Sequence, residues 1–306
     1  MLLNLLLLAV GFVFLVRGAS AFVDGASVLA HRFNVPEIII GLTIVAMGTS
    51  APELAVSVSS ALHGTGGVAI GNALGSNIIN VLLVLGIAAL ITPLSVHRKT
   101  TKYEIPFLII ITMMLMWFGI EYSALTRDAA GIFILCFVFF LCYLYFNARK
   151  EIVEAEKTPE FSMFKTITFL VLGLVALVFG SDLTVKSATN LANILHVPDR
   201  IIGLTLVAFG TSLPELVTCA IAAYKNRTGL VIGNIIGSNI FNILFVLGIT
   251  GLIVPMNFER AFVADTVISL VITIMLLIFT LREHKLTRRA GLIFLLCYAG
   301  YIIYLI

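Results

Sequence analysis

Two glutamates occupy positions where a charge is expensive. Glu53 ends the stretch Gly48-Thr49-Ser50-Ala51-Pro52-Glu53, inside an apolar run from Val35 to Leu62. Glu215 ends Gly210-Thr211-Ser212-Leu213-Pro214-Glu215, 162 positions later. A carboxylate at the centre of a bilayer costs on the order of 3 kcal/mol or more, so its first reading is functional. Pro52 removes an N–H and clashes with the carbonyl four residues back, and Gly48 relaxes the backbone, so a helix here is predicted to break or bend near 47–50. Such a break frees carbonyls around Ala46 and Met47 and sets the Thr49 and Ser50 hydroxyls beside Glu53. Carbonyl, hydroxyl and carboxylate oxygens are the hard ligands that calcium and sodium prefer. The stretch holds no His or Cys, which argues against zinc or copper. The competing structural reading is a capping box, Ser50 as N-cap with Glu53 three residues on. Within a membrane a neutral group would do that work at far lower cost.

A second doubled stretch follows each glutamate. Asn72, Ser76 and Asn80 are spaced i, i+4, i+8 and share one helix face, as do Asn234, Ser238 and Asn242. Any single Asn here could simply be interhelical hydrogen-bond glue, and Asn77 and Asn239, off that face, are read as glue or as caps. Gly71, Gly75 and Gly86, with Gly233, Gly237 and Gly248 in the copy, permit close helix approach or a second break. Packed together, the copies would bring Glu53 and Glu215 towards one midplane site of charge −2, matching one calcium or two sodium ions. Asp24, Asp182 and Asp265 are expected at interfaces rather than among the ligands.

The elements that must position these residues are membrane helices. The 306 residues are 60% hydrophobic and 11% charged, with a mean hydropathy of +1.12. Soluble domains are roughly 45–50% apolar and 25% charged, so the composition indicates an all-α polytopic membrane protein and gives no reason to expect a nucleic-acid partner. Taking ~20 apolar residues per span, helices are predicted at about 2–24, 36–62, 68–92, 104–122, 128–147, 163–186, 198–223, 229–254, 262–281 and 289–306. The only sizeable hydrophilic stretch, 148–160, divides the chain into a first five-helix repeat (1–147) and a second (161–306). Because each repeat has an odd number of helices, the second must insert upside down, the inverted-repeat plan of secondary transporters.

The basic residues agree with ten spans. With the N-terminus outside, inside loops hold 14 Lys and Arg and outside loops 4, the remaining one being Arg17 within the first span. Arg17 is expected to snorkel or to meet a lipid phosphate. Cys136, Cys142, Cys219 and Cys297 lie in apolar runs without CxxC spacing and are read as packing residues. Ala19-Ser20-Ala21 imitates a signal-peptidase site, but there is no basic n-region and the segment has an internal copy, Gly11, Gly18 and Pro36 matching Gly173, Gly180 and Pro198. It is therefore kept as a membrane helix.

The paired motifs G-T-S-x-P-E and G-N-x-x-G-S-N-x-x-N resemble the two alpha-repeats of the cation/calcium antiporter superfamily, in particular its microbial sodium/calcium exchanger branch. The resemblance covers nearly the whole chain. It implies alternating access, with ions held among spans two, three, seven and eight, and spans one and six sliding aslant across this core. Carried over by position, it implies ligands from Glu53, Glu215, Thr49, Thr211, Ser50, Ser212, Ser76, Ser238, Asn80 and Asn242 and from the carbonyls of Ala46 and Ala208. Some members, including the potassium-dependent branch, have Asp at the position of Asn242. Neutral amides at Asn80 and Asn242 argue against potassium co-transport and against a third carboxylate. The proton/calcium branch words its motif differently, and the linker is too short for a regulatory calcium-binding domain.

The expectation is thus an antiporter, not an enzyme, that exchanges sodium for calcium across the plasma (inner) membrane. Its termini lie outside and its linker in the cytoplasm; it needs no cofactor and no evident protein partner beyond the lipid bilayer. A proton/calcium antiporter of the same fold and a cation channel are the alternatives. Two inverted halves in one chain favour alternating access over a channel. No nucleophile–base pair accompanies the glutamates, which disfavours a hydrolase.

Overall fold

Apolar runs of this length in lipid must satisfy their backbone polar groups internally, and the chain does so with helices almost throughout. The computed structural model describes residues 1–148, 162–195 and 208–305. In chain order these form α1 (Leu2–Arg32), α2 (Glu37–Thr49), α3 (Ala51–Leu62), α4 (Gly66–Ile91), α5 (Thr100–Tyr122), α6 (Arg127–Ala148), α7 (Met163–Ile194), α8 (Ala208–Thr211), α9 (Leu213–Tyr224), α10 (Thr228–Ile253), α11 (Arg260–Leu281) and α12 (Arg288–Leu305). Eight of these are long and apolar enough to cross a membrane, and the pair α2 and α3, bent by 45° at Ser50, makes a ninth. Of the span expected over 198–223, residues 208–224 are described, as α8 and α9. Most of the expected linker lies outside the described residues.

Two of the helices come out longer than expected. α1 runs to Arg32 rather than to about 24, and α7 to Ile194 rather than to about 186. The polar residues that marked those ends are absorbed by local partners. Asp24 pairs with Lys225 at 2.7 Å, Ser27 hydrogen-bonds Glu37, and Lys186 pairs with Asp182 one turn earlier at 2.8 Å. At 1.5 Å per residue, α1 is about 46 Å long against a hydrocarbon core of roughly 30 Å, so it must tilt or run out into the headgroup layer. α1 and α7 pack on each other along facing glycines. A Cβ at Gly18 would stand 2.8 Å from the Gly173 carbonyl oxygen, so only glycine permits this approach.

Burial sorts the remaining helices into a centre and a periphery. α10 is almost wholly enclosed and α4 largely so, whereas α11 and α12 present most of their surface outwards. α12 meets α4 where Gly291 faces Gly86, and α6 meets α10 where Ala130 faces Gly251. Short antiparallel strand pairs fasten the loops. β1 (Leu94–Ser95) pairs with β4 (Lys285–Leu286), Leu94 opposite Leu286. β2 (Ala124–Leu125) pairs with β3 (Met256–Asn257), Leu125 opposite Met256. Arg17 is exposed on the outer face of α1, in keeping with snorkelling. The reading of the cysteines as packing residues holds for buried Cys219 and for Cys136, which packs against the core. Cys142 and Cys297 are exposed and Cys136 is half-buried, because α6 and α12 are outer helices.

Candidate functional site

The site is built where the α2–α3 bend and the α8–α9 junction meet the central helices α4 and α10. The bend follows from Pro52, which has no N–H to offer the Gly48 carbonyl. It is gentler than a break. The Ser50 N–H still donates to the Ala46 carbonyl (3.0 Å), and the Leu54 N–H to the Ser50 carbonyl (3.3 Å). The expectation of a freed carbonyl at Ala46 is corrected accordingly: it keeps its backbone donor, and the Thr49 hydroxyl also lies 3.5 Å from it. Ala208 opens α8 at the equivalent place.

The capping-box reading fails. Ser50 has φ −88° and ψ 10°, outside the extended region an N-cap adopts, and its side chain makes no cap bond. Instead Ser50 Oγ donates to Glu215 Oε1 at 2.8 Å, 165 positions away. Ser212, φ −86° and ψ 3°, behaves alike: its hydroxyl lies 3.2 Å from Ser76 Oγ, which in turn donates to Glu53 Oε1 at 3.5 Å. Thr49 Oγ1 donates to Asn234 Oδ1 (3.1 Å) and Thr211 Oγ1 to Asn72 Oδ1 (3.3 Å). Ser238 Oγ donates to Asn234 Oδ1 at 3.5 Å. Each motif therefore serves the other's helices.

Four oxygens of this cluster are buried without a hydrogen-bond partner: Glu53 Oε2, Glu215 Oε2, Asn80 Oδ1 and Asn242 Oδ1. The four residues are at most 1% exposed. An unmet buried acceptor costs about 1–3 kcal/mol, more when charged. Four in one cluster form an arrangement that a hard cation could relieve. Among the described residues no three of His, Cys, Asp and Glu gather as they would around a transition metal.

Comparison with known proteins identifies the family. The family model described as sodium/calcium exchanger protein matches residues 3–146 and 165–306. The chain belongs to the sodium/calcium exchanger family. It is 32% identical to the sodium/calcium exchanger MaX1 of Methanosarcina acetivorans, over 99% of this chain and 98% of that protein. It is 34% identical to the inner membrane protein YrbG of Escherichia coli, over 100% of this chain and 96% of that one. Among solved structures it is similar to the sodium-calcium exchanger NCX_Mj, soaked with sodium and strontium, with a TM-score of 0.88 at 32% identity, covering 99% of this chain and 98% of that one. This family member is accordingly a multi-pass membrane protein of exchanger fold.

Sequence reasoning missed the supports of the cluster. Asn72 Nδ2 donates to Ser57 Oγ (3.2 Å) and to the Glu53 carbonyl (3.3 Å). In the copy, Asn234 Nδ2 donates to Cys219 Sγ at 3.2 Å, so Cys219 holds an amide as well as packing. The signal was present, since Ser57 and Cys219 stand at the same offset of 162, each one turn after its glutamate. Asn77 and Asn239 are glue rather than caps, each donating to the other's backbone carbonyl. Asn80 and Asn242 each open a π-helical turn, Asn80–Val84 and Asn242–Val246, a feature frequent at functional sites and one that nothing in the local sequence announces. The three aspartates stay outside the cluster: Asp24 on Lys225, Asp182 on Lys186, and Asp265 on Tyr301 at 3.5 Å.

Proposed function

We propose that this protein is a secondary antiporter that exchanges sodium for calcium by alternating access, the cation being held between Glu53 and Glu215. The observation that carries the reading is the set of four orphaned oxygens, two anionic and two neutral, in a sealed polar centre. Thr49, Ser50, Ser76, Thr211, Ser212 and Ser238 and the Ala46 and Ala208 carbonyls complete the ligand set. The fixed charge of −2 is balanced by one calcium or by two sodium ions, so either load crosses the bilayer without a large Born penalty. That equivalence is what exchange requires. Neutral Asn80 and Asn242 keep the charge at −2, consistent with no potassium requirement. The ions are cargo, and no cofactor is invoked.

The proposed frame is ten helices in two inverted five-helix repeats, 1–147 and 161–306, joined by 148–160. The strand pairs support that count. β1 and β4 can share one membrane surface only if an even number of crossings separates them, and so can β2 and β3. A crossing built on α9 makes these numbers six and four. The reciprocal bonds between the two motifs support the internal symmetry. With the termini outside and the linker in the cytoplasm, the basic residues obey the positive-inside rule by 14 to 4. This orientation belongs to the plasma, or inner, membrane. Since the cluster is sealed, access must open alternately on each side, and the close contacts of α1 on α7 through Gly11, Gly18, Gly173 and Gly180 offer a smooth surface for that movement.

The test is radioactive calcium uptake into sodium-loaded vesicles containing the purified chain, with potassium and proton gradients varied independently. Uptake that needs internal sodium and ignores potassium is expected. Uptake driven by a pH gradient alone would replace sodium with protons in this reading. Calcium flux that needs no counter-ion would point to a channel and overturn antiport.

A further inference from the structure

Asn77 and Asn239 lie three residues before Asn80 and Asn242, and their bonds fix which end of each neighbouring amide is left free. A backbone carbonyl can only accept, so the Asn77 atom 3.2 Å from the Asn239 carbonyl is its amide nitrogen. By the same logic, the Asn239 atom 3.3 Å from the Asn77 carbonyl is its nitrogen. The remaining atom of each side chain is then an oxygen, which accepts. Asn77 Oδ1 receives Asn242 Nδ2 at 3.1 Å, and Asn239 Oδ1 receives Asn80 Nδ2 at 3.0 Å. The nitrogens of Asn80 and Asn242 are thereby occupied, and the oxygens left over are the two orphaned amide oxygens of the cluster.

We infer that Asn77 and Asn239 are positioning residues: a pair of crossed amides, anchored on backbone carbonyls, that presents Asn80 and Asn242 to the cation oxygen-first. The inference rests on the function proposed above. Rotating either ligand amide by half a turn would offer the cation an NH2 group, the positive end of the dipole. That rotation would also set two amide oxygens against each other, Oδ1 of Asn242 facing Oδ1 of Asn77. The anchors cannot turn to compensate, because their nitrogens are committed to carbonyls of the opposite helix. All four asparagines are at most 1% exposed, so no solvent stands in for a lost partner. Each anchor acts across the α4–α10 contact. Asn77 on α4 orients Asn242 on α10, and Asn239 on α10 orients Asn80 on α4. Neither copy of the motif completes its own ligand.

The crossed pairing makes the test specific. Calcium affinity is measured by isothermal titration on the full chain in detergent, for single and double alanine variants, with calcium-free melting recorded for each. Asn77→Ala should weaken calcium about tenfold, the worth of one buried hydrogen bond to a ligand. In an Asn242→Ala background the same change should cost less than about twofold, because the group it orients is gone. Combined with Asn80→Ala, its cost should multiply in full. The mirror cycle, Asn239 with Asn80, should show the same pattern and replaces the first if Asn77→Ala does not fold. A merely structural Asn77 would lower melting and affinity equally in every background, and that outcome overturns the inference. Wild-type protein that binds no calcium would overturn this inference and the proposed function together. Wild-type protein that binds calcium, with losses that simply multiply, would overturn the positioning role alone.

Discussion

Glu215→Gln is a nearly isosteric change with opposite effects on the empty and the loaded protein. The glutamine carbonyl can still accept the Ser50 hydroxyl, 2.8 Å from Oε1 in the native chain. The orphaned Oε2 becomes an NH2 group, so the cluster loses one of its two charges and gains a donor where a cation would need an acceptor. A divalent ion about 4 Å from a unit charge, at an effective dielectric constant of about 20, is attracted by roughly 8 kcal/mol. Much of this is offset by ion dehydration, leaving a net loss of about 3 kcal/mol, or roughly a hundredfold in calcium affinity. At a calcium concentration of about 100 times the wild-type Kd, wild type gains about 2.7 kcal/mol of stability and the variant only about 0.4. At about 2–4 °C per kcal/mol, the calcium-dependent rise in Tm falls from roughly 5–10 °C to about 1 °C. Without calcium, the variant should melt at or above wild type, because Glu53 no longer faces a second buried carboxylate. The assay is a pair of thermal melts with and without calcium, alongside sodium-driven uptake in proteoliposomes, which should be abolished. A variant that keeps the wild-type calcium shift and near-normal exchange would refute the assignment of Glu215.

Glu53→Gln should reproduce these results, and a large difference between the two would contradict a shared site. Gly18→Val places a Cβ 2.8 Å from the Gly173 carbonyl oxygen and from the Leu177 nitrogen, both backbone atoms. It should destabilise the fold by about 1–3 kcal/mol and slow exchange more than it weakens calcium binding, read from uptake rates and titration of the same preparation. Lys225→Met strands Asp24, whose partner at 2.7 Å is lost. Because the pair is partly exposed, the cost should be about 1 kcal/mol or less, recovered in melts of the Asp24→Asn double variant. Asn242→Asp adds a third carboxylate, and the charge moved per calcium in voltage-clamped vesicles should change; an unchanged value would count against Asn242 as a ligand.

The ligand candidates were legible because carboxylates, amides and hydroxyls are conspicuous in an apolar chain and recur at a fixed offset. Their partnerships were not. Local spacing suggested Ser50 capping its own helix, but its backbone sits in the wrong region for a cap and its hydroxyl crosses to Glu215. Pro52 announced a distortion, but not that the ladder through Ala46 and Leu54 survives it. Helix ends were misjudged at Asp24 and Lys186, since a charge ends a span by hydropathy but not when another residue neutralises it. Cys219 was read from its apolar surroundings as a packing residue, which it is, but it also accepts from the Asn234 amide across α9 and α10. Distant neighbours decide the cases of Ser50, Asp24 and Cys219, whereas the ladder at Pro52 and the Lys186–Asp182 pair are settled within one helical turn.

The strand pairs have a mechanical meaning as well. β1 and β2 come from residues before 148 and β4 and β3 from residues after 162, so both loop clusters are stitched across the two parts of the chain. The same interlacing holds lower down, where α12 seats on α4 and α6 on α10. Two parts so interleaved cannot rock against each other like the jaws of a clamp without tearing both stitches. In the proposed mechanism, motion would fall to the helices with a strand at neither end, above all α1 and α7. Under the proposed alternating access, the molecule would divide into a stationary chassis that carries half of the proposed cation cluster on α4 and α10, and a shutter that slides along its own glycine seam.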